Sequence, residues 1–267
     1  MRAPVDVFHA GNGSFWVFDA APPSFVEVDP VSGGVIRRFR SPIADVGSYT
    51  VAGNTLWITD EHGGAVTAVD ATNGHRLRSF TRLPGRGGSE GVVVSHGSLW
   101  VTRPEADRGD GILLRLNPAT GHVDWKMVGL PGSYALTTEQ DDTIWTAGTF
   151  GNINRIDPVT NEVVRGVTEG RNYSVAAGDG FGWTADGLRG VVYQVDANGN
   201  VVAQYQTARG ARAVSYSENL LWVGNADNGT VTRIDAGGGV VTYWFDHRVV
   251  SLAAGSGTVL VEFGRAV

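Results

Sequence analysis

Six side chains able to do chemistry stand at matching places in a recurring pattern: Asp6, Tyr49, Glu90, Tyr134, Tyr173 and Arg212, with Val250 closing the series. Most follow a glycine and a small residue, as in Gly88-Ser89-Glu90 and Gly210-Ala211-Arg212, just where a β-pattern begins. A guanidinium such as Arg212 grips a carboxylate with two parallel hydrogen bonds. Tyrosines offer apolar faces with a hydroxyl at the tip. Asp6 and Glu90 accept from hydroxyls or amines, or pair with Arg212. Two positions later stand Phe8, Val51, Val92, Leu136, Val175, Val214 and Leu252, all apolar. The contrast between a varied and a uniform column reads as a ligand-binding ring. The alternative is that Arg212 bridges the acids and the tyrosines plug a channel.

A second set lies three residues beyond a recurring tryptophan, at Asp60, Arg103 and Asp186, with Asp19, Gly148, Asn225 and Phe263 in the matching places. Asp60-Glu61-His62 is either an acid/base cluster or a solvated loop. The loop from Arg103 to Gly111 carries Glu105, Asp107 and Asp110. It offers oxygens to a divalent cation, Mg or Ca, without a recognised calcium-loop spacing. No motif demands a cofactor. The histidines have no zinc spacing, and neither a nucleophile elbow nor a phosphate-binding loop is present.

The elements that must position these residues repeat. Phe15-Trp16-Val17, Leu56-Trp57-Ile58, Leu99-Trp100-Val101, Ile144-Trp145-Thr146, Gly182-Trp183-Thr184 and Leu221-Trp222-Val223 recur, and Val259-Leu260-Val261 takes the next place. A period of about 40 residues holding four short strands is a propeller blade. Turns starting at Asp29, Asp70, Asn117, Asp157, Asp196 and Asp235 suit Asx geometry, a structural role. The expectation is an all-β β-propeller, one domain over 1–267. Its blades span 4–40, 46–81, 88–128, 132–168, 171–207 and 210–246, with a half blade at 248–263. That predicts seven blades with the last incomplete, or alternatively six. Antiparallel order puts the start of each first strand and the end of each second strand on one face, so both residue sets meet at one channel mouth. The half blade leaves an exposed edge strand able to pair with another chain.

Composition narrows the function classes. The 267 residues include 38 glycines and no cysteine, with a net charge of −6. Disulfides, thiol catalysis and cysteine metal sites are excluded. An acidic chain without a basic run predicts no nucleic-acid partner, and no apolar stretch is long enough to predict a membrane span. No apolar segment of signal-peptide type follows Met1. The reading expects a cytoplasmic protein, or an extracytoplasmic one if the chain is a fragment. Its partner is a small molecule or peptide at the mouth; the alternatives are a lyase or lactonase, or an interaction domain of a larger protein.

Two stretches carry a family resemblance. Asn54-Thr55-Leu56-Trp57-Ile58-Thr59-Asp60 and Arg155-Ile156-Asp157-Pro158-Val159-Thr160 resemble strands of the YVTN-type and streptogramin-lyase-like propellers. The lyase resemblance implies seven blades and elimination on a cyclic depsipeptide at the channel mouth, with Mg²⁺ and a histidine base. The mouth column here holds Tyr, Glu, Arg and Asp, so the resemblance carries over the place of the site and no catalytic residue. Ser89-Glu90-Gly91 is similar to the metal-binding glutamate segment of the senescence-marker-type lactonases, without matching Asn and Asp partners.

Overall fold

A computed structural model of the chain describes residues 7–85, 87–104, 110–139 and 141–264, and every regular element in it is a strand. Blade 1 contains β1 (Val7–His9), β2 (Phe15–Ala20), β3 (Pro23–Val28) and β4 (Val35–Arg40); blade 2 contains β5 (Val46–Ala52), β6 (Thr55–Asp60), β7 (Val66–Asp70) and β8 (Arg76–Phe80). Blade 3 contains β9 (Gly91–Ser95), β10 (Ser98–Pro104), β11 (Asp110–Leu116) and β12 (Val123–Pro131). Blade 4 contains β13 (Ser133–Thr138), β14 (Ile144–Gly148), β15 (Asn152–Ile156) and β16 (Val163–Val167). Blade 5 contains β17 (Asn172–Gly178), β18 (Phe181–Asp186), β19 (Val191–Val195) and β20 (Val201–Gln206). Blade 6 contains β21 (Ala211–Ser217), β22 (Leu220–Asn225), β23 (Thr230–Asp235) and β24 (Val240–Trp244). A two-stranded sheet follows, β25 (Val249–Gly255) with β26 (Thr258–Phe263).

The chain is therefore a β-propeller with six complete four-stranded blades, all antiparallel and in sequence order. The count of complete blades is one short of a full seven-bladed ring. Among the described residues the tail pairs with no strand of blade 1; it is a sheet of its own, wedged between blades 6 and 1. The Val7 amide donates to the Ser251 hydroxyl at 3.1 Å, and Thr258 Oγ1 donates to the Pro30 carbonyl at 3.3 Å. Val7 and Phe15 pack with Ala253 in one apolar cluster.

Turn chemistry sets the strand lengths. In blade 5, Gly178 pairs with Phe181 across a turn in which Asp179 and Gly180 take φ of 52° and 79°. This left-handed pair matches the twist of a hairpin. The Asx turns form as expected. Asp70 Oδ1 accepts the Thr72 amide at 2.8 Å and its hydroxyl at 2.6 Å, and these bonds hold the Asp70 carboxyl below its usual range.

Between blades the core is built around the repeated tryptophans. Trp16 joins Phe18 and Phe25 of its own blade to Tyr49, Ile58 and Val69 of the next. Trp57, Trp100, Trp145 and Trp183 make the same forward contact, and all five are buried. The second strands are buried on both faces, with Leu56 to Thr59 buried in β6 and every residue of β14 buried, so each face must be covered by a neighbouring blade. This stacking makes the ring and leaves a central channel.

Candidate functional site

The channel encloses about 1150 Å³ and is lined by the first strand of every sheet. Strand register decides which side chains reach it. Thr50, Val93, Thr137, Ala176, Ser215 and Ala253 lie opposite the tryptophan slot. Counting back three residues gives Gly47, Glu90, Tyr134, Tyr173, Arg212 and Val250 as the mouth position. Blade 2 therefore offers Gly47 there, and Tyr49 is displaced from the mouth. Its turn joins Ala52 to Thr55 through two residues, the same length as in blade 5, so no gap shifts the strand. Side chains alternate with a period of two, so a two-residue slip leaves an apolar pattern unchanged. Tyr49 fills the packed column with Val7, Val92, Val175, Val214 and Leu252, all buried. Its hydroxyl donates to the Trp16 carbonyl at 2.9 Å, and its ring meets Phe8 and Phe25 edge-on. Asp6 and the side chain of Tyr134 lie outside the described residues.

Two acidic groups stand together at the mouth. Glu90 is fixed by its amide donating to the Thr102 carbonyl at 3.0 Å. Glu61 comes from the loop after β6 and lies against the segment before β9. A Cβ on Gly88 would sit 1.5 Å from the Glu61 carbonyl oxygen, so only glycine permits this approach. Burial, with the nearby Glu61 charge second, raises the Glu90 pKa above its usual range. Across the channel the Arg212 guanidinium lies 5.5 Å from the centroid of the Tyr173 ring, a cation–π geometry. Arg248 also lines this mouth. Among the described residues Arg212 forms no ion pair with Glu90 or any other carboxylate. The sequence reading named Glu61 only within the Asp60-Glu61-His62 cluster and did not single out Arg248 as a binding residue. Their signal was position: each adjoins a strand end that the repeat puts on this face.

The second set is used by the fold. Asp60 Oδ1 accepts the His62 amide at 2.9 Å and the Gly63 amide at 2.7 Å. The His62 ring turns outward, with Nδ1 3.9 Å from Asp45 Oδ2. Asp60, Glu61 and His62 thus form no acid/base cluster; the tight turn sends the three side chains apart. Asp186 is fully buried, its Oδ1 accepting the Leu188 amide at 2.9 Å and the Arg189 amide at 3.3 Å. Its other oxygen faces Arg189 Nε at 3.7 Å. Arg103 is also buried. It donates to the carbonyls of Leu83 at 2.6 Å, Pro84 at 2.7 Å and Gly87 at 2.7 Å, clamping the connection into blade 3. Burial lowers its pKa from the usual arginine range. Glu105 and Asp107 lie outside the described residues, as does the side chain of Asp110.

Metal chemistry needs a converging donor set. Among the described residues no three His, Asp or Glu side chains come together. The mouth offers Glu61 and Glu90, two neighbouring carboxylates, and among the described residues no third His, Asp or Glu side chain joins them. No described histidine lines the channel. His96 lies on the opposite face, Nδ1 3.6 Å from Asp142 Oδ2.

That opposite mouth is differently organised. The Tyr216 ring stacks on Trp183 at 4.2 Å and 15°, and its hydroxyl donates to Asp179. Burial first, and this hydrogen bond second, push its pKa far above an ordinary phenol. Glu139 accepts Trp145 Nε1–H at 3.1 Å and the Gly180 amide.

Solved structures with the same architecture come from several settings. Virginiamycin B lyase from Staphylococcus aureus superposes with a TM-score of 0.77 at 14% identity, covering 98% of this chain and 92% of that one. The Cps50 (Swd1) propeller domain of Myceliophteria thermophila gives 0.75 at 15% identity, covering 98% and 95%. BamB from Moraxella catarrhalis gives 0.66 at 12% identity, covering 98% and 80%. No family model and no curated protein sequence matches the chain. At these identities the likeness establishes the β-propeller fold, which hosts lyase and non-lyase proteins alike.

Proposed function

We propose that the protein binds a small polar molecule or a peptide at the mouth formed by Glu61, Glu90, Tyr173, Arg212 and Arg248. One observation carries this reading: among the described residues the charges at this mouth form no ion pair with one another. Arg212 stacks on a tyrosine, and Glu90 is pressed toward Glu61. A ligand with an ammonium or hydrogen-bonding end meets the acidic side, and its carboxylate meets Arg212. A concave, pre-formed channel with few convergent polar groups is the usual form of such a site. Calorimetric titration with zwitterionic, anionic and neutral dipeptides and amino-acid derivatives tests it. Arg212→Ala and Glu90→Gln should each weaken binding at least tenfold with the melting temperature nearly unchanged. Binding that survives both changes sinks the reading.

A second reading is a streptogramin-lyase-like activity on a cyclic ester or depsipeptide. Its support is structural: the likeness to virginiamycin B lyase includes a catalytically inactive form solved with quinupristin, at a TM-score of 0.76 and 15% identity. Glu90, with its raised pKa, is the group in this mouth suited to proton abstraction. Turnover of a cyclic depsipeptide that Glu90→Gln abolishes would favour this reading; inactivity across depsipeptides and lactones, with and without added Mg²⁺, would remove it.

A further inference from the structure

The seam between blades 2 and 3 is closed by aliphatic side chains of β11. Ile112, Leu114 and Leu116 pack with Trp57 and are 0–1% exposed. Register with the second strand gives their counterparts in blade 2 as Ala65, Thr67 and Val69. Val69 closes on Trp16 as Leu116 does on Trp57. Ala65 and Thr67 are smaller than Ile112 and Leu114. Their short side chains leave a cleft of about 360 Å³ against the segment 42–45, which leads from blade 1 into blade 2. The cleft shares no lining residue with the central channel.

Both walls of this cleft are held in place. On the blade 1 side, the buried Ser41 donates its hydroxyl to the Ile43 carbonyl at 2.6 Å and accepts the Ile43 amide at 3.2 Å. The Glu61 amide donates to the Asp45 carbonyl at 2.9 Å, and Arg76 donates to the Pro42 carbonyl at 3.1 Å. On the blade 2 side, the Thr67 and Ser79 hydroxyls meet at 2.8 Å, and Thr67 is 2% exposed. Whichever of the two donates, the pair keeps one hydroxyl hydrogen and further lone pairs. Among the described residues nothing else bonds to it. A buried hydroxyl left unmet is costly, so this wall calls for a group that both donates and accepts.

The charges around the pair select the ligand class. Asp45 and Asp60 line the cleft with one guanidinium, that of Arg76. Two carboxylates disfavour an anion. The guanidinium opposes a metal ion, and no three metal-ligating side chains converge among the described residues. A neutral molecule rich in hydroxyls meets all of these groups. We propose that the cleft between blades 1 and 2 is a second binding site, for a sugar ring or short polyol. Its hydroxyls donate to the carboxylates of Asp45 and Asp60 and accept from Arg76. One of them both donates to and accepts from the Thr67–Ser79 pair, and the C–H face of the ligand lies on Pro42 and Ile43. The volume sits at the low end of the roughly 300–1,000 Å³ usual for ligand pockets, which fits one ring.

The test titrates the full chain with methyl glucopyranoside, methyl mannopyranoside, methyl galactopyranoside and glycerol, read by backbone amide NMR shifts. At least one of the four should bind saturably and move the amides of 43–45, 65–67 and 79–81, leaving those of 90 and 212 in place. Thr67→Val and the exposed Arg76→Gln should each weaken binding at least fivefold with the melting temperature nearly unchanged. The double change Ala65→Ile with Thr67→Leu, which copies the closed seam of blade 3, should abolish binding. No saturable shift from any of the four at tens of millimolar overturns the proposal, as do shifts confined to the channel. Binding that both Thr67→Val and Arg76→Gln leave intact overturns it as well. Tighter binding of inorganic phosphate or Ca²⁺ at the same amides would also overturn it, because the ligand would then be charged.

Discussion

The two ends of the channel hold similar residue types and use them in opposite ways. At the end bearing Tyr216, the polar groups satisfy each other: tyrosine to Asp179, Glu139 to an indole and an amide. At the end bearing Arg212, two carboxyls face each other without a described basic partner, and the guanidinium rests on an aromatic face. A polar group that has its hydrogen bonds contributes to stability, and one that lacks them is available to a ligand. The difference separates an end whose polar groups satisfy one another from the end proposed to bind, more sharply than residue identity does.

The largest test of that contrast is Trp183→Ala, which removes the ring under Tyr216 and opens a cavity between blades 5 and 6. It should cost about 3–5 kcal/mol of unfolding free energy in denaturant titrations. Glu139→Ala comes next. It strands the Trp145 indole N–H and the Gly180 amide and should cost about 1–3 kcal/mol. Tyr216→Phe deletes a single hydrogen bond and should cost about 0.5–1.5 kcal/mol.

Changes at the other end should barely register in stability. Arg212→Ala should stay within about 0.5 kcal/mol of the parent. A loss there comparable to that of Glu139→Ala would break the comparison. Glu90 sharpens it through pH. Its pKa is raised in the folded chain, so the native state holds this proton more tightly than the unfolded state does. Its contribution is therefore greatest below the ordinary value of 4.5 and falls as pH rises through the raised value. Melting curves of Glu90→Gln should lack that decline. If the variant and the parent show the same pH profile between 4 and 8, burial and the Glu61 charge do not raise the Glu90 pKa.

The comparison also measures how far the chain could be read in advance. The tryptophan period, the strand divisions and the Asx turns were legible because they are local. A two-residue turn, a period of two and a side chain bonding its own backbone all act within a few residues. Glu90, Tyr173 and Arg212 were legible as mouth residues for the same reason, since their distance from the tryptophan slot follows from hairpin length. Tyr49 was not. Two registers of β5 preserve the same apolar alternation, and contacts with Phe8, Phe25 and the Trp16 carbonyl choose between them. Asp60, Asp186 and Arg103 were found at the expected end of their strands, but their hydrogen bonds, absorbed by nearby backbone, became visible only in three dimensions.

By itself the sequence determined a β-propeller whose first strands converge on one channel, because repeat length and alternation dictate antiparallel blades. The tertiary structure decided which polar groups remain unspent. It brought Glu61 beside Glu90 through the close approach at Gly88 and laid Arg212 on Tyr173. Each of these depends on contacts between blades, and no regularity within a single blade encodes them.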